Sequence, residues 1–174
     1  MIIFYYMKRS KKVVFVSHCL LNQNTMPLGK ESYAGSVKDL MELFAESGIG
    51  IIQLECPQME YTNILERRPA SKSSFENNGF RENCRKMSSE ILERVELYLK
   101  NNYKVIGILG VEFSKTCGVH QVRNGSRRIP GKGIFMEELE SEMQKKNFQI
   151  PIIGVNLNNI YSSIDKIQTL LNFT

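Results

Sequence analysis

The chain has 174 residues, of which 42% are hydrophobic and 24% charged, and its formal net charge is +5 with a pI near 9.0. These values are ordinary for a globular protein, and the length predicts one domain over residues 1–174. No apolar run is long enough to span a bilayer, which excludes a membrane-spanning helix. The mild positive charge is compatible with an anionic ligand or nucleic acid, but it does not favour nucleic acid as the main partner.

The amino terminus does not have the pattern of a signal peptide. Its apolar residues precede the charged Lys8 and Arg9, and no small-residue cleavage site follows. We therefore expect a cytoplasmic protein, monomeric or homodimeric, with no membrane partner. Met7 is an alternative start, which would leave residues 1–6 as a loose extension.

Apolar runs and amphipathic stretches alternate along the chain. The predicted strands are 12–16, 49–54, 103–109 and 150–155, and the predicted helices are 36–46, 81–101, 134–146 and 161–172. Residues 57–76 are expected to be the least regular part, and Asn124-Gly125 predicts a tight turn in a hairpin or flap at 122–128. This order predicts an α/β fold with a four-stranded parallel sheet, helices on both faces and the flavodoxin-like strand order 2-1-3-4.

Three of the four cysteines follow directly after predicted strands. Cys19, Cys56 and Cys117 come after the first, second and third strands, whereas Cys84 lies in the long predicted helix and is interpreted as incidental. Ligands of open α/β sheets bind in the crevice at the carboxyl ends of the strands. We therefore expect the three thiols to lie near one another.

Three thiols with no fourth cysteine at the same edge of the predicted sheet are compatible with three kinds of site. They could hold a 4Fe–4S cluster with one open iron. They could bind zinc, with His18 or His120 as the fourth ligand, although no short chelating loop of the usual kind is present. In a site without metal, Cys117 could act as a nucleophile with His120 as its base.

The cysteine motifs resemble those of the thiouracil desulfidase (TudS) family. The three motifs are Ser17-His18-Cys19-Leu20-Leu21-Asn22, Glu55-Cys56-Pro57-Gln58 and Ser114-Lys115-Thr116-Cys117-Gly118. The corresponding patterns of the family are approximately Ser-x-Cys-Leu-Leu-Gly, Cys-Pro-Glu and Ser-x-Ser-Cys-Gly. Each motif alone is weak, but the three occur in order and at compatible spacing over most of the chain.

The resemblance implies both a cofactor and an activity. Cys19, Cys56 and Cys117 would bind a 4Fe–4S cluster, and Ser114 would take part in catalysis. The activity would be the non-redox conversion of C=S to C=O in a thiolated pyrimidine, with sulfur leaving as hydrosulfide. An ordinary turn or cap would explain Ser114 equally well.

Two of the departures from the family pattern lie in the first and second motifs. Gln58 replaces the glutamate of Cys-Pro-Glu, and Asn22 replaces the glycine after Leu-Leu. An amide cannot act as general acid or base, so Glu55, Glu60 or Glu112 would have to take that role, although each could equally be a solvated surface acid.

The predicted substrate contacts are Asn22, Gln58 and Tyr61, the last by stacking on a base. The basic loop residues would suit a phosphate or an anionic thiolate, although a solvated surface explains them too; they are Arg67, Arg68, Arg123, Arg127 and Arg128.

The sequence thus favours an iron–sulfur desulfidase that acts on a small thiolated base or nucleoside. The alternative is a non-catalytic module that binds a cluster or zinc, such as a sulfur carrier, a sensor or an RNA-binding domain.

Overall fold

The computed structural model describes residues 8–70 and 72–172, so the predicted extension of residues 1–6 lies outside the described part. The strands there, in chain order, are β1 (Lys12–Ser17), β2 (Gly50–Leu54), β3 (Lys104–Val111), β4 (Gln121–Asn124), β5 (Arg127–Pro130) and β6 (Ile152–Val155). The helices are α1 (His18–Leu21), α2 (Lys38–Glu46), α3 (Pro57–Thr62), α4 (Asn78–Lys100), α5 (Ile134–Lys145) and α6 (Ile160–Asn172), with short 3-10 turns at Gln23–Thr25 and Lys72–Ser74.

The main sheet has four parallel strands in the order β2-β1-β3-β6. Since β6 is the fourth strand of this sheet along the chain, the predicted order 2-1-3-4 is confirmed. The two central strands are buried on both faces, as Phe15 of β1 and Ile108 of β3 show with 0% exposure. This burial explains why both strands appear in the sequence as continuous apolar runs.

Helices cover the sheet and give a three-layer α/β fold, as predicted. α4 packs against α5 and β3, whereas α2 packs against α6 and β2. α4 begins three residues earlier than expected because the Asn77 side chain accepts a hydrogen bond from the Phe80 backbone N–H at 2.8 Å. Such a cap satisfies a donor that the first helical turn leaves unpaired.

Two predictions for the segments beside the strand ends were wrong. Residues 57–62, expected to be irregular, form α3, in which Pro57 occupies a position that needs no N–H donor. The helix ends at Asn63, which adopts a left-handed φ of 51°. β3 continues two residues beyond its predicted end because Gly110 and Val111 pair with Gly154 and Val155 of β6.

The predicted hairpin is present as the antiparallel pair β4–β5. Gly125 lies in its turn with a φ of +60°, a conformation that glycine adopts without strain. No helix in the described part of the chain is both long enough and apolar enough to cross a membrane.

Candidate functional site

Three of the four cysteines line one cavity. Cys19 lies in α1 directly after β1, Cys56 lies between β2 and α3, and Cys117 lies in the loop that follows β3. All three line a cavity of about 350 Å³, which we call the thiol cavity. The parallel order β2-β1-β3 places the carboxyl ends of these strands side by side, so residues far apart in sequence share one crevice.

The position of Cys19 depends on the short junction between β1 and α1. Ser17, the last residue of β1, donates its hydroxyl proton to the Leu109 carbonyl oxygen of β3 at 2.8 Å. The Gln23 amide donates to the Cys19 carbonyl oxygen at 2.6 Å. These bonds hold the start of α1 against the end of β3 and leave Cys19 half-buried.

A buried cation contacts Cys56. Arg67 Nη1 donates to Cys56 Sγ at 3.6 Å, and Nη2 donates to the Thr25 carbonyl oxygen. Arg67 is 8% exposed, and its Nε has no hydrogen-bond partner among the described residues. Burial of an incompletely paired guanidinium is unfavourable, so this position suits a negative charge in the cavity.

The loop that carries Cys117 is tightly folded. Ser114 Oγ accepts hydrogen bonds from the backbone N–H groups of Cys117 at 3.0 Å and Thr116 at 3.3 Å. Gly110 and Gly133 lie so close to the Cys117 backbone that a Cβ at either position would overlap this loop. Close packing therefore requires glycine at both positions and determines where the thiol points.

The three thiols influence one another electrostatically. The pKa of the Cys117 thiol is raised to about 12, first by burial and then by the charge of Cys56, against hydrogen bonds from Thr116, Ser17 and Ser114 that lower it. Burial, followed by the charges of Cys117 and Cys56, raises the pKa of Cys19 well above its ordinary value. Without a metal, Cys19 and Cys117 are therefore neutral at pH 7, and binding as thiolates would release protons.

A line of polar side chains runs along one wall beside Cys117. Gln58 Nε2 donates to Thr116 Oγ1 at 3.3 Å, and Thr116 Oγ1 lies 3.3 Å from Ser114 Oγ. Thr116 Oγ1 also lies 3.6 Å from Cys117 Sγ. Because Gln58 acts as a donor, the Thr116 hydroxyl proton remains available for Ser114 or for the thiol.

Further cations line the thiol cavity. Lys30, Lys115 and Arg123 contribute to its wall, and none of them has a carboxylate partner among the described residues. The pKa of Lys115 is lowered by burial, then by the charges of Lys30 and Arg123, so these side chains lie close enough to repel one another. Uncompensated positive charge at a cavity wall favours an anionic ligand.

Four of the six residues predicted from sequence as catalytic or substrate contacts do not line the thiol cavity. Asn22 accepts hydrogen bonds from Asn24. Glu60 is exposed on α3, and Glu55 is exposed and accepts hydrogen bonds from Gln53. The substrate and catalytic roles of these residues stay predictions, and the structure places Ser114 and Gln58 on the cavity wall instead.

Tyr61 is the fourth of these residues, and its ring packs within the domain. The ring meets Phe80 edge to face, with centroids 5.2 Å apart, and its hydroxyl donates to Asn77 Oδ1 at 3.2 Å. Its predicted stacking on a base therefore has no support in this arrangement.

Neither histidine lines the thiol cavity. His120 Nδ1 lies 2.6 Å from Glu112 Oε1, so its partner is a carboxylate rather than Cys117. His18 Nδ1 lies 3.9 Å from Glu55 Oε2, and both of its ring nitrogens are buried without a hydrogen-bond partner among the described residues. The geometry thus supports neither the Cys117–His120 pair nor a zinc site completed by histidine.

Sequence reasoning did not single out Thr116 or Lys30. Thr116 could have been found because it adjoins Cys117, whereas nothing in the sequence around Lys30 indicates that its loop reaches the cavity. Cys84, interpreted as incidental, is fully buried in α4 and does not line the cavity.

The described residues contain no ready-made site for a single metal ion. Among residues 8–70 and 72–172, no group of three or more His, Cys, Asp or Glu side chains is placed so that it could hold one. The three thiols line the same cavity without forming such a group.

A comparison with solved structures relates the fold of the chain to that of a known protein. No family model matches the chain. The structure of the 4Fe-4S-dependent thiouracil desulfidase TudS is similar, with a TM-score of 0.58 and 18% identity, and the likeness covers 94% of this chain and 99% of that one. At this identity the likeness establishes a TudS-like fold.

A curated relative is closer in sequence. The uncharacterized protein MJ0003 of Methanocaldococcus jannaschii is 34% identical over 145 residues, which are 83% of this chain and 86% of the relative. This extent of identity means that the chain belongs to the same protein family as MJ0003.

Proposed function

We propose that the chain binds a 4Fe–4S cluster through Cys19, Cys56 and Cys117 and removes sulfur from a small thiolated compound. The observation that carries this proposal is that three thiols from the ends of three adjacent strands line one cavity. The TudS-like fold supports it, since the solved neighbour is named as a 4Fe-4S-dependent thiouracil desulfidase.

The donor set fits a cluster better than a single ion. The cysteines that hold a 4Fe–4S cluster bind separate iron atoms, so they need to surround a cavity and not to converge on one point. Zinc would need four ligands within about 2.3 Å of one atom. A bound cluster with one open iron would supply a Lewis acid to the sulfur of the substrate.

The protein's own residues would prepare the cavity. Arg67 offsets the negative charge of the thiolates through its contact with Cys56 Sγ. Thr116 holds the Cys117 side of the cavity through its contact with the thiol. Ser114 accepts two backbone N–H bonds, which orients its own hydroxyl proton toward Thr116 or toward a bound substrate.

The substrate would be small and partly anionic. A volume of about 350 Å³ accommodates one thiolated base. Phe75 and Pro69 offer apolar contact on the wall, while Lys115 and Arg123 offer positive charge to a thiolate or phosphate. A free nucleobase or nucleoside therefore suits this cavity better than a folded nucleic acid.

The first test is iron and acid-labile sulfide per chain, in protein purified without oxygen and reconstituted. We expect about four of each. The loaded protein should then release sulfide from 2-thiouracil or 4-thiouridine. Zinc without labile sulfide would contradict the cluster assignment, and a loaded protein that releases no sulfide would contradict the activity.

A non-catalytic cluster module is the second candidate, favoured by one observation. Gln58 replaces the family's carboxylate and donates to Thr116, so it cannot exchange protons at this position. Comparison of wild type with Gln58→Glu in the sulfide-release assay separates the two candidates. Activity only in Gln58→Glu would identify the wild type as a carrier or sensor.

A further inference from the structure

The proposed reaction requires a group that handles protons. Water and C=S are converted to C=O, HS⁻ and H⁺, so the attacking water must lose both of its protons and sulfur gains one of them. Gln58 cannot serve as a base. Two carboxylates line the thiol cavity, and they are Glu31 and Glu112. Glu31 is exposed and has no hydrogen-bond partner among the described residues.

Glu112 is held firmly in place. Its side chain is 10% exposed, and Oε2 accepts the backbone N–H groups of Gln121 at 3.1 Å and His120 at 3.3 Å. A Cβ on Gly154 of β6 would collide with this carboxylate, so the carboxylate fits at this place because residue 154 is a glycine. A carboxylate offers about four lone-pair sites. Two backbone bonds and His120 use three of them, which leaves one for a water in the cavity.

His120 connects this carboxylate with solvent. Its Nδ1 lies 2.6 Å from Glu112 Oε1, and its side chain is 65% exposed. The imidazole lines a second cavity, of about 710 Å³, between α5 and the loop before β6. Glu112 lines the thiol cavity, while its histidine partner is exposed and lines the second cavity.

We propose that Glu112 and His120 form a proton relay at the thiol cavity, in which Glu112 carries the proton and His120 holds Glu112, in place of the missing family carboxylate. This inference rests on the proposed function. Glu112 accepts a proton from the attacking water and gives it to the departing sulfur, while His120 keeps its Nδ1 proton and donates it in a hydrogen bond to Glu112 Oε1. The second proton of the water is released to solvent as the C=O bond forms, so the step yields HS⁻ and H⁺.

The charges around the relay are of both signs. Lys30, Lys115, Arg123 and Glu31 line the thiol cavity together with Glu112. Lys132 and Glu140, which form an ion pair, lie with His120 in the second cavity.

Nuclear magnetic resonance tests the dyad independently of turnover. The chain has two histidines, so His120→Ala assigns their ring signals. We expect His120 to carry its proton on Nδ1 in the wild type. In Glu112→Gln the new amide can donate to Nδ1, which should move the proton to Nε2 while the backbone hydrogen bonds persist. An unchanged tautomer would refute the contact.

Kinetics test the relay itself, with sulfide release from 2-thiouracil and 4-thiouridine as the assay. Glu112→Gln should lower kcat by about 100-fold with little change in KM, and His120→Ala by about 10-fold. Free imidazole should restore part of the His120→Ala rate, which no purely structural role would explain. Glu42→Gln, the matched control on the exposed surface of α2 outside the cavity, should stay within about two-fold of wild type.

The outcomes separate the two proposals. If the wild type is active and Glu112→Gln releases sulfide at the same rate, the relay is refuted and the proposed function stands. A loss in His120→Ala that imidazole does not rescue would also refute it. If the loaded wild type releases no sulfide from either compound, the proposed function fails and the relay fails with it.

Discussion

The interface between α4 and α5 and the thiol cavity both contain charged side chains, but they arrange them differently. Between the helices each charge has a partner: Arg81 contacts Glu137 at 2.8 Å and Glu138 at 3.0 Å, and Arg85 contacts Glu138 at 3.1 Å. In the thiol cavity, Arg67 and Lys115 have no carboxylate partner among the described residues. Paired charges serve the fold, whereas unpaired charges at a cavity cost stability and indicate a ligand.

The largest expected effect is the loss of the cluster. Replacing Cys19, Cys56 or Cys117 by serine should abolish cluster retention, because each is proposed to bind a separate iron. Cys84→Ser is the matched control and should retain wild-type content. Iron and labile sulfide per chain measure the effect. Equal content in all four variants would contradict the ligand assignment.

Arg67→Ala should weaken cluster retention without unfolding the protein. The guanidinium lies against Cys56 Sγ and offsets its negative charge. We expect several-fold faster loss of visible absorbance in air, with Arg67→Lys in between because lysine keeps the charge but not the forked geometry. Arg81→Ala, a paired arginine between the helices, should lose its cluster at the wild-type rate.

Glu138→Ala should affect the fold and not the site. Its side chain is 11% exposed and pairs with both Arg81 and Arg85, so its removal leaves two cations without this partner. We expect the free energy of unfolding to fall by about 2 kcal/mol, which chemical denaturation would measure. Glu42→Ala, on an exposed i,i+4 pair of α2, should cost less than about 0.5 kcal/mol. Equal losses would remove the distinction between the pairs.

The smallest effect concerns pH. Burial raises the pKa of Cys84, and that of Cys117, to about 12 in the folded protein. An unfolded thiol ionises at lower pH, so this stability is present below about pH 9 and is lost as pH rises toward 12. At pH 10 each thiol should lower the free energy of unfolding by about 1 kcal/mol. Chemical denaturation of cluster-free protein should show that the free energy of unfolding declines less steeply with pH in Cys84→Ala than in wild type. Parallel curves would contradict this prediction.

Strand positions could be predicted closely, and boundaries less so. Buried parallel strands require apolar side chains on both faces, so runs such as the one in β1 are visible in the sequence. β3 ended too early in the prediction because its last residues, Gly110 and Val111, are defined by pairing with β6. α3 was missed because a proline at a helix start resembles a proline in a loop.

The candidate site was predictable where the backbone alone determines it. Cys19, Cys56 and Cys117 follow strands, and the parallel topology brings strand ends together. Contacts between loops were not predictable, because Arg67 reaches Cys56 and Glu112 reaches His120 only through the folded loop geometry. Asn22 and Tyr61 were expected at the substrate for their chemistry, but their side chains bond or pack locally.

The sequence by itself determined the α/β fold, the strand order and the motifs that carry the three thiols, because hydrophobic periodicity and chain connectivity are local properties. Only the tertiary structure decided which charges remain unpaired, which carboxylate faces the cavity and which histidine it meets. Those features depend on distances between side chains from different loops. Such distances are determined by close packing, as where Gly154 admits the Glu112 carboxylate, and not by the spacing of residues along the chain.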